Sequence, residues 1–252
     1  MRISGRVCLS PFFHSHHLIL QSMKHLTILG FLCLFLPGPC PAKESPAWSM
    51  PPVAYFVERI PPPPKEGDAA DLSDLEYVLA VQACATPEQI AHTRMTAKLD
   101  PFEIFSEVLG PDFTAGKFPL TKALLEKVRD TGESVKDELK AWYARKRPVD
   151  AHEKDGVISY VGREKSFSYP SGHSLRGWLT ALVLARLDPS KKHKLLNCGA
   201  AVGWDRVVAG VHYQTDAIAS RAVGHLIFDR LMADPAFVAE LEKVRKAEWM
   251  KP

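Results

Sequence analysis

The chain has 252 residues, 46% of them hydrophobic and 24% charged, with a formal net charge of +3. That balance supplies enough apolar side chains for a packed core and excludes an intrinsically disordered chain. The first 42 residues hold Arg2, Arg6 and Lys24 and no acid, which accounts for the whole surplus; the remainder is electrically balanced, which argues against a nucleic-acid-binding surface on the main domain.

In chain order, Met23-Lys24-His25 is a short cationic stretch, followed by an apolar run over residues 26–36. Pro37-Gly38-Pro39 breaks any helix there, and Cys40-Pro41-Ala42 offers small residues for cleavage. The pattern is that of a secretory signal peptide over residues 1–42, with Met23 as an alternative start. The apolar run is too short to span a bilayer, which takes about 20 residues. The expectation is a periplasmic or secreted protein with no stable membrane span after cleavage; an uncleaved anchor is the alternative. Cys84 and Cys198 lie beyond the leader, and a disulfide or two small buried thiols are both open.

Pro51-Pro52 and the four prolines 61–64 predict an extended Pro-rich arm over residues 43–66, lying on the domain surface. Residues 67–252 read as one helical domain. Thr86-Pro87-Glu88-Gln89 has an N-cap residue, a proline at the first helical position and a glutamine three after the cap. Residues 120–145 carry apolar side chains near the helical period, as two helices meeting around Gly132. Leu175, Trp178, Leu179, Leu182 and Val183 repeat the stripe until Asp188-Pro189, and Ala219, Ala222, Val223, Leu226 and Ile227 do so before Asp234-Pro235. A last, more polar helix covers residues 235–249, its carboxylates reading as a solvated face. With no strand alternation and no repeat, the fold class is an all-α, single-domain helical bundle.

Three segments concentrate unusual residues. Lys140 and Arg147 are seven apart, two helical turns, and Pro148 pushes Arg147 out of helical geometry past the helix end. Pro170-Ser171-Gly172-His173 opens the stripe from Leu175: Ser171 is a natural N-cap, Gly172 allows close backbone approach, and the free amides attract an anion beside His173. In the third, Asp216 follows His212 by four residues, so it can accept from one ring nitrogen and leave the other lone pair free, as a nucleophile requires. Arg206 precedes them with a planar fork suited to phosphate oxygens. His92, His152, His193 and His225 read as surface or packing histidines, and Tyr143, Trp178 and Trp204 as core or pocket wall.

Together the segments match the order K-x6-R-P, P-S-G-H and S-R-x5-H-x3-D, and the chain resembles the type 2 phosphatidic acid phosphatase superfamily, which also includes vanadium haloperoxidases. It is more similar to the bacterial class A non-specific acid phosphatases, through residues 60–64, Ser168-Tyr169-Pro170-Ser171-Gly172-His173, Ala181-Leu182-Val183-Leu184-Ala185 and Asp234-Pro235-Ala236-Phe237. The resemblance implies an acid phosphatase of small phosphomonoesters that needs neither metal nor cofactor. His212 would attack phosphorus to form a phosphohistidine, Asp216 would orient it, and His173 would protonate the leaving alcohol. Lys140, Arg147, Ser171, Gly172 and Arg206 would hold the phosphate. Asp205 departs from the pattern, standing where a serine is usual, and is expected to face Arg206 or solvent. A vanadium-dependent haloperoxidase and a soluble lipid phosphatase are the rival readings, with a non-catalytic phosphate-binding module a third; a homo-oligomer is left open.

Overall fold

The computed structural model describes residues 48–250, so the leader and the first residues of the arm lie outside it. Among the described residues there is no strand. The helices are α1 (Val53–Val57), α2 (Ala69–Ala83), α3 (Pro87–Thr96), α4 (Pro101–Leu109), α5 (Pro119–Tyr143), α6 (Pro148–Ala151), α7 (Gly172–Leu187), α8 (Lys192–Val208), α9 (Gln214–Met232) and α10 (Pro235–Val244), with a terminal π turn at Arg245–Trp249. The expected all-α bundle is the fold, and none of its helices is long and apolar enough to cross a membrane.

Local chemistry explains most helix starts. Asp68, Thr86, Asp100, Ser171 and Asp234 each turn a side-chain oxygen onto a free amide of the first turn. Thr86 and Gln89 form the full reciprocal capping box, at 3.2 and 2.9 Å. α5 corrects one expectation: it is a single helix of 25 residues, and Gly132 lies inside it. A Cβ there would sit 2.8 Å from Leu179 Cδ1, so the glycine marks a close crossing with α7 rather than a break.

α7 is the central helix and packs on α5, α8 and α9. Residues 179–185 are buried without interruption, which is why its apolar side chains surround the helix instead of forming one stripe. The α7–α8 crossing is the tightest: a Cβ on Gly177 would meet Val202 Cβ at 2.8 Å, and one on Gly199 would meet Ala181 Cβ at 2.5 Å and the Gly177 carbonyl oxygen at 2.8 Å. Because α7 starts at Ser171-Gly172-His173 and Arg206 lies in the last turn of α8, this contact sets two of the three motifs against each other.

The ends of the described chain are part of the packing. The Pro-rich arm is irregular through residues 61–64 but contains the turn of helix α1, and it buries Trp48, Phe56 and Ile60 instead of only lying on the surface. Trp48 meets Phe237 edge to face at 5.1 Å, and the Tyr169 hydroxyl donates to the Pro61 carbonyl. Glu248 departs from the expected solvated face: its carboxylate accepts from the Leu120 and Thr121 amides at 2.7 and 2.9 Å, supplying the cap that Phe118 at the start of α5 cannot. Cys84 and Cys198 are both free thiols.

Gly199→Ala tests the central crossing. Alanine in a helix interior ordinarily gains about 1 kcal/mol over glycine, whereas overpacking costs about 1–3 kcal/mol. With a backbone oxygen in the way the clash should win, lowering stability by about 1–2 kcal/mol in urea unfolding.

Candidate active site

The site is built at helix ends. α5 stops at Tyr143, and Ala144 takes a left-handed conformation at φ 50°, after which the chain runs extended into α6. In that stretch Arg145 and Arg147 are buried while Lys146 between them is exposed, the two-residue alternation of an extended backbone. Two guanidinium groups are thereby driven inward. Arg147 Nε donates to the Ser166 carbonyl at 2.8 Å, Nη1 to the Val211 carbonyl at 3.0 Å, and Nη2 to Ser166 Oγ at 3.0 Å and Glu164 Oε2 at 2.7 Å. Lys140, in the last turn of α5, donates to Ser166 Oγ at 3.3 Å and to the Phe167 carbonyl.

His212 lies in the loop between α8 and α9, outside both helices. Gly210 makes the turn at φ +71°, where a Cβ would come within 2.1 Å of the Ile158 carbonyl oxygen. The amides of Val211 and His212 then bond back to the Arg206 carbonyl, each at 3.2 Å. A small apolar cluster that includes Val78, Val149, Val207, Val211 and Tyr213 backs this loop. Asp216 stands in the first turn of α9, and its Oδ2 accepts from the Tyr213 amide at 3.0 Å and lies 3.2 Å from His212 Nδ1. That contact places the proton on Nδ1 and the lone pair on Nε2, which accepts from Arg147 Nη1 at 2.9 Å. The two motifs are therefore in direct contact.

The third motif joins through the start of α7. The Ser171 amide donates to the Asp216 carbonyl at 3.4 Å, and Ser220 Oγ donates to the Ser171 carbonyl at 2.8 Å. Ser171 Oγ is occupied as the cap, accepting from the Ser174 amide at 3.3 Å and the Ser174 hydroxyl at 2.8 Å. Over Gly172 passes the Lys136 stem, whose Cδ would stand 2.8 Å from an added Cβ. His173 Nε2 is 3.3 Å from the Ala97 carbonyl and its Nδ1 3.7 Å from Glu164 Oε1.

Charge sets the chemistry. Burial, and then Arg147, Lys140, Arg206 and His173, holds His212 well below the ordinary imidazole value, so it is neutral. Burial and Arg206 lower His173 to about 4. Burial, Arg147 and Lys136 lower Lys140 to about 7. Arg206, only 1% exposed, is brought down to about 10 by burial and Arg147, and its Nε and Nη1 have no hydrogen-bond partner. A buried guanidinium with idle donors is a costly arrangement unless an anion is received there.

Several participants were not among the candidate site residues. Arg145 is the anchor: its guanidinium bridges Asp71, Asp74 and Asp216, each at 2.9 Å, donates to Thr215 at 2.8 Å, and stacks 3.8 Å from the Tyr213 ring centre. Ser168 donates to Asp216 Oδ2 and lies 3.3 Å from His212 Nδ1. Asp205 faces neither Arg206 nor solvent. It turns to α3, 3.0 Å from His92 Nδ1 and 2.8 Å from Thr96 Oγ1, which explains why an acid is tolerated beside the cations. His92 is thus a partner of Asp205, while His152 pairs with Asp155 at 2.9 Å and His225 meets Trp178 edge to face at 5.5 Å. Trp204 is exposed.

A model of the PAP2 superfamily matches residues 131–235, a span holding all three motifs. The non-specific acid phosphatase of Providencia stuartii is 31% identical over 195 residues, 74% of this chain and 77% of that one. The non-specific acid phosphatase of Salmonella typhi is 32% identical over 236 residues, 89% and 92% of the two chains. That of Salmonella typhimurium is 33% identical over 193 residues, covering 74% and 77%. The chain belongs to the PAP2 superfamily. Among its described residues no group of three or more His, Cys, Asp or Glu is arranged to hold a metal ion.

For this PAP2 chain, Arg145→Met should be severe. It strands three carboxylates inside the protein, and breaking a buried ion pair costs about 3–5 kcal/mol. Urea unfolding should show a loss of that order, with Arg145→Lys restoring only part because one ammonium cannot span all three acids.

Proposed function

We propose that the protein is an exported, metal-independent acid phosphatase that hydrolyses small phosphate monoesters through a phosphohistidine. The observation that carries this reading is the buried Arg206 guanidinium with two idle N–H donors, close enough with Arg147 and Lys140 to keep the His212 imidazole neutral. Curated relatives over most of the chain are named non-specific acid phosphatases, which favours this reading over a haloperoxidase or a lipid phosphatase. Export rests on the cationic and apolar leader, which lies outside the described residues.

In this mechanism the ester's phosphate oxygens take the donors of Arg206, Arg147 and Lys140 together with the free amides at Gly172, and Arg147 Nη1 leaves His212 Nε2 for one of them. The freed lone pair attacks phosphorus in line. A P–N bond forms while the P–O bond to the alcohol breaks, and His173 delivers its proton to the departing oxygen. Asp216 holds the Nδ1 proton and balances the charge that grows on the ring. Water then attacks the phosphohistidine, His173 takes a proton from it, and phosphate leaves with His212 neutral again. Phosphoryl transfer asks mainly for positioning and charge neutralisation, which buried cations supply.

His212→Ala should abolish turnover of p-nitrophenyl phosphate and the acid-labile phosphoprotein trapped by rapid quench. His173→Ala should lower turnover of an alkyl phosphate by about 100-fold or more while sparing the good leaving group p-nitrophenol; equal losses on both would contradict the acid role. Activity should persist in a chelator.

The acidity dependence follows from charge. Lys140, at about 7, and His173, at about 4, each lose a positive charge as pH rises, so anion binding and proton donation weaken in the same direction. kcat/KM should therefore be highest on the acidic side and decline through neutrality; a rate profile rising into the alkaline range would be incompatible with these assignments.

A further inference from the structure

We infer that the Glu164 carboxylate is an internal stand-in for the substrate's phosphate, occupying the anion-binding cations of the free enzyme, so that substrate binds by displacing it. The inference rests on the phosphatase reading above and assigns a specific residue to setting anion affinity.

Glu164 is the sole acid in residues 157–168, the segment that crosses in front of the cations. One of its oxygens takes Arg147 Nη2 at 2.7 Å, and the other lies 3.7 Å from His173 Nδ1. A single carboxylate thus spans the guanidinium that rests on the nucleophile and the imidazole proposed as proton donor. Burial works against its charge, but Arg147, His173, Arg206 and Lys140 together keep its carboxyl below the ordinary value, so it is an anion when the site is free. Without it, Arg147 and Arg206, both 1% exposed, would be left largely uncompensated.

The fit is partial. Two carboxylate oxygens engage Arg147 and approach His173, yet Arg206 Nε and Nη1 stay without partners. A phosphate brings more charge and at least one more terminal oxygen, enough to meet Arg147, Lys140 and Arg206 at once. Exchange needs little movement. The backbone beyond Glu164 is tied down by Arg147 to the Ser166 carbonyl and by Lys140 to the Phe167 carbonyl, while the Glu164 side chain is 38% exposed and can swing into water. Released orthophosphate faces the same competitor, so the carboxylate also assists product departure.

Glu164→Gln keeps the size and one acceptor but removes the competing charge. Calorimetric titration with inorganic phosphate should show binding about tenfold tighter than wild type, and KM for p-nitrophenyl phosphate should fall by a similar factor. The phosphate-free variant should melt below wild type, and saturating phosphate should close that gap, which a merely structural contact would not do. Unchanged or weaker phosphate binding by E164Q overturns the inference. If E164Q does not fold alone, refolding in phosphate must rescue it, and failure to do so also overturns it. If phosphate binds neither protein, the phosphatase reading itself falls.

Discussion

Holding positive charge in an interior with little water is the most demanding thing this chain does. Lys140, Arg145, Arg147 and Arg206 are all buried, and each is accommodated differently. Arg145 is fully matched by three aspartates and acts as a strut. Arg147 is matched by carbonyl groups, a hydroxyl and one exchangeable carboxylate. Lys140 can shed its proton near neutrality. Arg206 is left with idle donors. The series runs from a charge whose partners are permanent to one whose partner must come from outside, and the proposed chemistry sits at the unfinished end.

The helices make this tolerable because their ends are rigid. The α7–α8 crossing, closed over Gly177 and Gly199, fixes the start of one helix against the end of the other. His212 itself is on neither, but on a glycine turn whose amides return to the Arg206 carbonyl. His212 is thus positioned by the same residue whose side chain awaits an anion. The Asp216 carboxylate, gripped by Arg145, Ser168 and the Tyr213 amide, cannot turn away from the ring.

Much of this was legible in the sequence, in the places where a signal is local. Caps at Thr86 and Ser171, the Asp-Pro stops and the stripes of α7 and α9 depend on neighbours within a few positions, and the three motifs are short. What was hidden is long-range or disguised. α8 turns small residues toward α7, so it shows no apolar stripe to betray it. Gly132 looks like a break because sequence alone does not reveal the Leu179 side chain that fills its space. Arg145 reads as one more basic residue in an Arg-Lys-Arg run until α2, about 70 positions away, brings Asp71 and Asp74 to it. Asp205 looked like a defect in the motif; its partner His92 is 113 positions distant.

The contact of Glu248 with the first amides of α5 has a reach beyond its own corner. α5 is one continuous rod from Pro119 to Tyr143, and Lys140 rides on its far end. Fraying of the terminal π turn would strip the rod of the Glu248 carboxylate and the Trp249 indole, which both hold Thr121 at its proximal end, and loosen its seating along the whole length. Proteolytic trimming or a bulky fusion at the carboxyl end would therefore disturb Lys140 from the opposite pole of the helix, with every residue of the proposed reaction centre still in place.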